Sequence, residues 1–136
     1  MKNLFKLAFC CIAMLATFAC SSSSTPSDAV KSAYSAMTSG DFTTAVTYIY
    51  LGEDKTTMSK EQMDDYRGWV MKDLEKTVKR DIKNYGEVTS VEILSETIEE
   101  SGDKAEVESK IVYSNGKEDT ESISLVLVNG KWLIDL

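Results

Sequence analysis

The sequence predicts an α+β domain in which N-terminal helices pack on an antiparallel sheet of four strands. Apolar residues recur at helical spacing up to about residue 83, and from residue 86 they alternate with polar residues. Asn-Gly dipeptides follow two of the alternating segments, and this dipeptide is the strongest short signal for a hairpin. We therefore expect helices first and then strands joined in a meander.

Three helices are predicted, each from its capping residues. Thr25 is expected to cap the first helix and Gly40 to end it. Asp41 is expected to cap a shorter second helix that shares an apolar face with the first. Ser59 and Gln62 form a capping box for a long third helix that reaches about residue 83. Its apolar stripe is Met63, Tyr66, Trp69 or Val70, Leu74, Val78 and Ile82.

The alternating segments predict one packed face and one wet face for the sheet. The predicted strands are Val88–Glu99, Lys104–Tyr113, Lys117–Val128 and Lys131–Leu136. In the second strand, the packed face carries Ala105, Val107, Ser109, Ile111 and Tyr113. In the last strand, Trp132 shares a face with Ile134, and we expect this tryptophan to lie in the core.

The first residues of the chain, Met1 to Cys20, are typical of an export signal. Lys2 and Lys6 precede an apolar run that is too short to span a bilayer. The tetrad that ends in Cys20 resembles the lipobox of bacterial lipoproteins, which implies a lipid on Cys20 and removal of residues 1–19. The alternative is an ordinary secretory signal. Residues 20–25 would then be a lipidated tether, and residues 26–136 a single domain.

Charge and composition exclude several classes of function. The chain has 15 basic and 22 acidic residues, and such a surface repels nucleic acid. It contains no histidine, which removes histidine bases and most zinc sites. Glu99, Glu100 and Asp103 lack the pattern of a calcium loop and are interpreted as a solvated hairpin. We expect no cofactor and no metal.

The order of the elements, and several short motifs, resemble a known family. The motifs are Asp28-Ala29-Val30, Tyr34, Ser39-Gly40-Asp41-Phe42 and the closing Asn129-Gly130-Lys131-Trp132-Leu133-Ile134-Asp135. The chain is similar over residues 26–136 to an uncharacterised family of lumazine-binding-like bacterial lipoproteins. This resemblance implies a cone-shaped, cystatin-like or nuclear-transport-factor-like (NTF2-like) fold with a curved sheet. It implies no catalytic residues.

The expected function is non-enzymatic binding of a small ligand or of a protein partner in the cell envelope. Cone folds often hold a pocket between the sheet and the helices, and aromatic side chains are the candidate lining. The candidate contacts are Tyr34, Tyr48, Tyr66, Trp69, Tyr113 and Trp132. At this spacing, aromatic residues are more often plain core.

Two alternatives stay open. The first is a cone-fold enzyme that uses a pocket carboxylate beside a tyrosine hydroxyl. Its candidates are Asp64, Asp65 and Asp73 with Tyr48, Tyr66 and Tyr113. The second is an interaction lipoprotein without a ligand pocket. A filled cone with an exposed apolar patch would favour it.

The expected location is the outer membrane, with the domain held there through the lipid on Cys20. The periplasmic side is favoured over the surface, because no acidic run follows Cys20. An envelope protein or a small molecule is the expected partner. A homodimer through the sheet is also considered, since many cone folds dimerise in this way.

Overall fold

In the computed structural model, which describes residues 25–136, the helices pack on a four-stranded antiparallel sheet, as predicted. The helices are α1 (Pro26–Thr38), α2 (Phe42–Ala45) with a following 3₁₀ turn (Val46–Tyr48), and α3 (Lys60–Tyr85). The strands are β1 (Val88–Ile98), β2 (Lys104–Tyr113), β3 (Glu118–Val128) and β4 (Lys131–Asp135), and they lie in this order in the sheet. The predicted signal, Cys20 and most of the tether lie outside the described residues.

The helix starts follow the predicted caps. Thr25 and Asp41 each accept a backbone N–H from the first turn of their helices. At α3, the Ser59 hydroxyl accepts from the Gln62 N–H at 3.2 Å, and the Gln62 side chain accepts from the Ser59 N–H at 2.9 Å. This reciprocal pair is the predicted capping box. The second helix is short, as predicted, and it continues from Val46 as a 3₁₀ turn.

The sheet is an antiparallel meander with an added bridge at one edge. The β3–β4 turn is tight, since Val128 pairs with Lys131 and both Asn129 and Gly130 have positive φ angles. Two register shifts interrupt β1, and bulges of this kind bend a strand. Ile49 forms a parallel bridge with Ile134, which covers part of the β4 edge.

The core lies between α1 and one face of the sheet, called the inner face below. Its members are Ala29, Val30, Ala33, Ala105, Val107, Leu125, Trp132 and Ile134. Trp132 is only 6% exposed, which confirms its predicted place in the core. Glu96 of β1 accepts from the backbone N–H of Ser27 at 2.9 Å and so holds the start of α1 on the sheet.

Helix α3 is buried only in its first half. Met63 and Val70 are buried, as the predicted stripe requires. The prediction that the whole stripe is buried is wrong for Tyr66 and Ile82, whose side chains are 38% and 42% exposed. The helix packs on α1, α2 and the 3₁₀ turn, and this packing covers only part of its apolar face. Within residues 25–136, no helix combines the length and the apolar composition needed to cross a membrane.

Gly86 sets the angle at which α3 passes into β1. Its φ of 85° and ψ of −173° belong to a region that essentially only glycine occupies. A Cβ at this position would overlap the Ser114 hydroxyl oxygen. That hydroxyl accepts from the Glu87 N–H at 3.0 Å. The junction therefore requires glycine both for its backbone conformation and for space.

We predict that Gly86→Ala lowers the free energy of unfolding by about 1–3 kcal/mol, measured by urea denaturation. Gly68→Ala is the matched control, because Gly68 lies within α3. A Cβ added at Gly68 would meet no atom within 4 Å beyond its own neighbouring helix backbone. The control should gain about 1 kcal/mol, since alanine is the better helix former. Equal effects of the two substitutions would contradict the proposed role of Gly86.

Candidate ligand-binding cavity

A cavity with two adjacent lobes lies between α1, the second half of α3 and the inner face of the sheet. The helix lobe, of about 220 Å³, lies beside α3 and β2. The strand lobe, of about 370 Å³, lies beside β3 and β4. Both lobes are lined by Tyr34, Met37, Leu74 and Glu121. These four side chains therefore stand where the lobes meet.

The walls of both lobes are mostly apolar. In the helix lobe, Val78 and Ile82 of α3 face Val88 and Tyr113 of the sheet. The strand lobe is lined mainly by the middle of β3 and the C-terminal end of β4. Its apolar side chains include Ala33, Ala45, Ile49, Ile123, Ile134 and Leu136. An apolar wall with a few polar groups is the usual form of a small-molecule site.

Tyr34 and Glu121 join α1 to β3 across the cavity. The Tyr34 hydroxyl donates to the Glu121 carboxylate at 2.7 Å. Burial raises the pKa of Tyr34 above its usual value, and the hydrogen bond to Glu121 and the charge of Glu121 raise it further. Tyr34 therefore remains a neutral hydrogen-bond donor over the physiological pH range.

Tyr113 brings a second phenol to the helix lobe. Burial raises its pKa, and the nearby charges of Glu121 and Asp81 act in the same direction. Its ring lies 5.4 Å from that of Tyr85, in a tilted arrangement. The negative charges of the cavity thus act on both of its tyrosines.

Ser109 places a buried hydroxyl next to Glu121. The two residues are paired across β2 and β3, so their side chains point to the same face of the sheet. Ser109 is 0% exposed, and among residues 25–136 its hydroxyl has no hydrogen-bond partner. An unpaired buried hydroxyl costs about 1–3 kcal/mol. The inner face therefore has unused hydrogen-bonding capacity beside Glu121.

The six aromatic residues proposed as ligand contacts lie in different places. Tyr34 and Tyr113 line the helix lobe. Tyr48 packs against the core, where Trp132 is buried. Tyr66 and Trp69 stack on the exposed side of α3, with their ring centroids 6.2 Å apart, and Trp69 is 63% exposed. The cavity thus brings together two of the six.

The three aspartates of the enzyme alternative lie on the exposed surface of α3. Asp64, Asp65 and Asp73 line neither lobe, and Asp64 pairs with Arg67 at 3.3 Å. Glu121 and Asp81 are the carboxylates that accompany the cavity tyrosines. Sequence reasoning missed Glu121 because residues 118–122 appear uniformly polar. The alternation that includes Ile123 and Leu125 was the signal that placed it on the inner face.

Among the described residues, no group of three or more acidic or cysteine side chains is arranged to hold a metal ion. The carboxylates of the cavity are spread along its walls. Their chemistry is therefore that of separate acceptors for hydrogen bonds and of negative charges.

Residues 18–135 match a protein family described as a domain of unknown function, DUF4878. The chain belongs to this family. The match covers most of the chain, and it agrees with the predicted membership of an uncharacterised family. No curated protein matches the sequence.

Two solved structures share the fold of this DUF4878 domain. One is a Campylobacter jejuni protein named provisionally as an NTF2-like transpeptidase, with a TM-score of 0.61 and 24% identity over 82% of this chain and 97% of that chain. The other is a SEC-C motif containing protein from Rhodopseudomonas palustris, with a TM-score of 0.55 and 14% identity over 85% of this chain and 79% of that one. The likeness confirms the NTF2-like fold.

We predict that Tyr34→Phe makes stability less sensitive to alkaline pH. The pKa of Tyr34 is higher in the folded chain than the unfolded value of about 10. The stability that comes from keeping its proton is therefore complete below pH ~10 and is lost as the pH rises further. In urea denaturation, the stability difference between wild type and Tyr34→Phe should shrink from pH ~8 to pH ~11.

Tyr66→Phe is the control for this measurement, since Tyr66 is exposed on α3 and lines neither lobe. The difference between wild type and this variant should stay the same over the same range. A constant difference for Tyr34→Phe as well would contradict the proposed environment of Tyr34.

Proposed function

We propose that this domain binds a small, mainly apolar molecule in the two-lobed cavity, and that a lipid on Cys20 holds it in the cell envelope. The observation that supports the binding function is the cavity itself, whose mostly apolar walls line two lobes of about 220 and 370 Å³ that open to solvent. Apolar cavities of about 150 Å³ already admit benzene. The strand lobe also falls within the usual range of ligand pockets, about 300–1,000 Å³.

The arrangement of the helices supports a cavity that belongs to the architecture. Helix α3 is anchored by Met63 and Val70 in its first half, while Leu74 and Val78 are half-buried and line the helix lobe. Exposed apolar walls cost free energy in an empty site, at roughly 25 cal/mol per Å². A ligand that covers Leu74 and Val78 recovers this free energy, which gives the site its affinity for apolar groups.

Binding is favoured over transpeptidation, the activity in the name of the Campylobacter jejuni protein. Nucleophilic transfer needs a hydroxyl or thiol that gives up its proton readily, and the raised pKa of the Tyr34 hydroxyl opposes this. The present chain has no histidine, and its three cysteines are Cys10, Cys11 and Cys20, all within the first 20 residues. The cavity instead offers a neutral tyrosine, a carboxylate and apolar walls, which suit recognition.

The envelope location rests on the first 20 residues. Lys2, Lys6 and the apolar run ahead of Cys20 have the order of an export signal, and the tetrad at Cys20 resembles a lipobox. Several acyl chains hold a protein stably on a bilayer, whereas one does so only marginally. In this proposal the domain faces the periplasm from the outer membrane. Its relation to lumazine-binding-like lipoproteins is part of the same proposal.

The cavity is tested by titrating the protein with benzene while NMR follows its amide signals. Wild type should show saturable shift changes at Leu74 and at the strands that line the lobes. Leu74→Trp should abolish them, because Leu74 lines both lobes and the larger ring fills the space. Leu94→Trp is the matched control, since Leu94 is exposed on β1 and lines neither lobe.

Retention of the same shift changes in Leu74→Trp would overturn the proposed site. So would a wild-type protein that shows no saturable change at all. Circular dichroism of each variant checks that the fold is kept, and Val78→Phe is a smaller filling change if Leu74→Trp unfolds.

The anchor is tested by metabolic labelling with a fatty acid. Cys20→Ser should abolish labelling of the protein and move it from the membrane fraction to the soluble fraction. Ser21→Ala, one residue further along, should leave both readouts unchanged. Labelling that persists in Cys20→Ser would rule out a lipid on this residue.

A further inference from the structure

We infer that the cavity selects an organic cation, such as a primary amine attached to an apolar body. This inference rests on the proposed binding function and adds the chemical class of the ligand. It is carried by the charge of the lining and by the free acceptor capacity of Glu121, next to the apolar walls already described.

The charges that line the cavity have one sign. Glu121 stands where the lobes meet, Asp81 lines the helix lobe and Asp135 lines the strand lobe. No lysine or arginine is among the residues of the described chain that line either lobe. A cleft with carboxylates and low-dielectric walls concentrates a negative potential. It therefore attracts a cation and repels an anion.

Glu121 is the carboxylate best placed to meet the charged nitrogen. It is exposed, and within the described residues it accepts one hydrogen bond, from the Tyr34 hydroxyl. A carboxylate has about four lone-pair positions, so most of its capacity remains. No lysine or arginine in residues 25–136 forms an ion pair with it. Asp81, by contrast, is already paired with Arg80 at 3.3 Å.

The aromatic residues of the helix lobe suit the same ligand. Tyr34 and Tyr113 both line this lobe, and the face of an aromatic ring attracts an ammonium group within about 6 Å. The fold already uses this interaction close by, where the Lys117 ammonium lies 3.7 Å from the ring centroid of Tyr85. The ring of Tyr85 in turn contacts that of Tyr113.

Ser109 adds a buried polar side chain to the inner face beside Glu121, and it lines neither lobe. Its hydroxyl is fully buried on the inner face, it is the cross-strand neighbour of Glu121, and it has no partner within the described residues. A buried hydroxyl of this kind is normally paired with protein or with a bound molecule.

A metal ion suits the cavity less well than an organic cation. Calcium takes six to eight oxygen ligands and magnesium six. Among residues 25–136, no group of three acidic side chains is arranged to supply them. A carboxylate where the two lobes meet, with apolar and aromatic neighbours, matches a single charged nitrogen on a hydrocarbon frame.

The test uses three probes that share a phenyl ring and a short chain: 2-phenylethylamine, 2-phenylethanol and phenylacetate. NMR titration of the protein gives an affinity for each. We expect the amine to bind about tenfold more tightly than the alcohol, because a hydrogen bond to a charged group contributes more than one to a neutral group. Phenylacetate should bind most weakly, because its negative charge is repelled by the carboxylates of the cavity. Added salt should reduce the preference for the amine.

Glu121→Gln separates charge from shape, since the amide keeps the size of the side chain and an oxygen that can accept from Tyr34. This variant should reduce amine binding about tenfold and leave 2-phenylethanol binding unchanged. Glu118→Gln is the control, because it removes the same charge from the opposite face of the same strand. It should leave the preference for the amine intact.

The outcomes distinguish this inference from the proposed function. Equal or tighter binding of 2-phenylethanol or phenylacetate by wild type would overturn the selection of cations and leave the binding site standing. An amine preference that survives in Glu121→Gln would overturn the role of Glu121. If none of the three probes binds, both the inference and the proposed function fail.

Discussion

The close packing of α1 on the inner face of the sheet is the constraint on which the rest of the structure depends. Ala29, Val30 and Ala33 are almost fully buried against the sheet. The small side chains of the two alanines let the helix backbone approach the strands closely. Glu96 fixes the start of the same helix through the Ser27 backbone N–H. These contacts fix the distance of α1 from the sheet and the rotation of α1 about its own axis.

The rotation of α1 determines which of its side chains line the cavity. Tyr34 directly follows Ala33 and so points to the side of α1, where it reaches Glu121 on β3. Helix α3 then packs on α1, α2 and the 3₁₀ turn, with its buried contacts in its first half. Its second half faces the inner side of the sheet across the helix lobe. The cavity is thus the space left between two helices that are anchored in different places.

The chemistry of the cavity follows from the register of the sheet. Pairing of Ser109 with Glu121 puts both on the inner face, in line with Ile123 and Leu125 further along β3. A carboxylate on this face meets a tyrosine that burial keeps neutral. In the proposed function, the apolar walls recognise the shape of a ligand and Glu121 recognises its charge.

The features predicted from sequence are those that depend on neighbouring residues in the chain. The capping box of Ser59 and Gln62 and the turn at Asn129-Gly130 are local, and the structure contains both. Burial of α3 was predicted less well, because periodicity shows that an apolar face exists but not what covers it. Tyr66 and Ile82 are exposed for this reason.

The cavity itself was harder to predict than the fold. Tyr34 and Tyr113 were recognised as candidates because they lie on apolar faces, whereas Glu121 lies in a polar segment that looked solvated. Its role depends on cross-strand pairing and on a contact with a residue 87 positions earlier. Sequence spacing within one element does not contain such information.

The most direct test of the account is a crystal structure of the protein purified, without denaturation, from the cells that make it. We predict electron density for an organic molecule between α3 and the inner face of the sheet. A nitrogen of this molecule should lie within about 2.7–3.2 Å of a Glu121 carboxylate oxygen. A structure in which α3 closes onto the sheet, with Leu74 and Val78 filling the space, would contradict it.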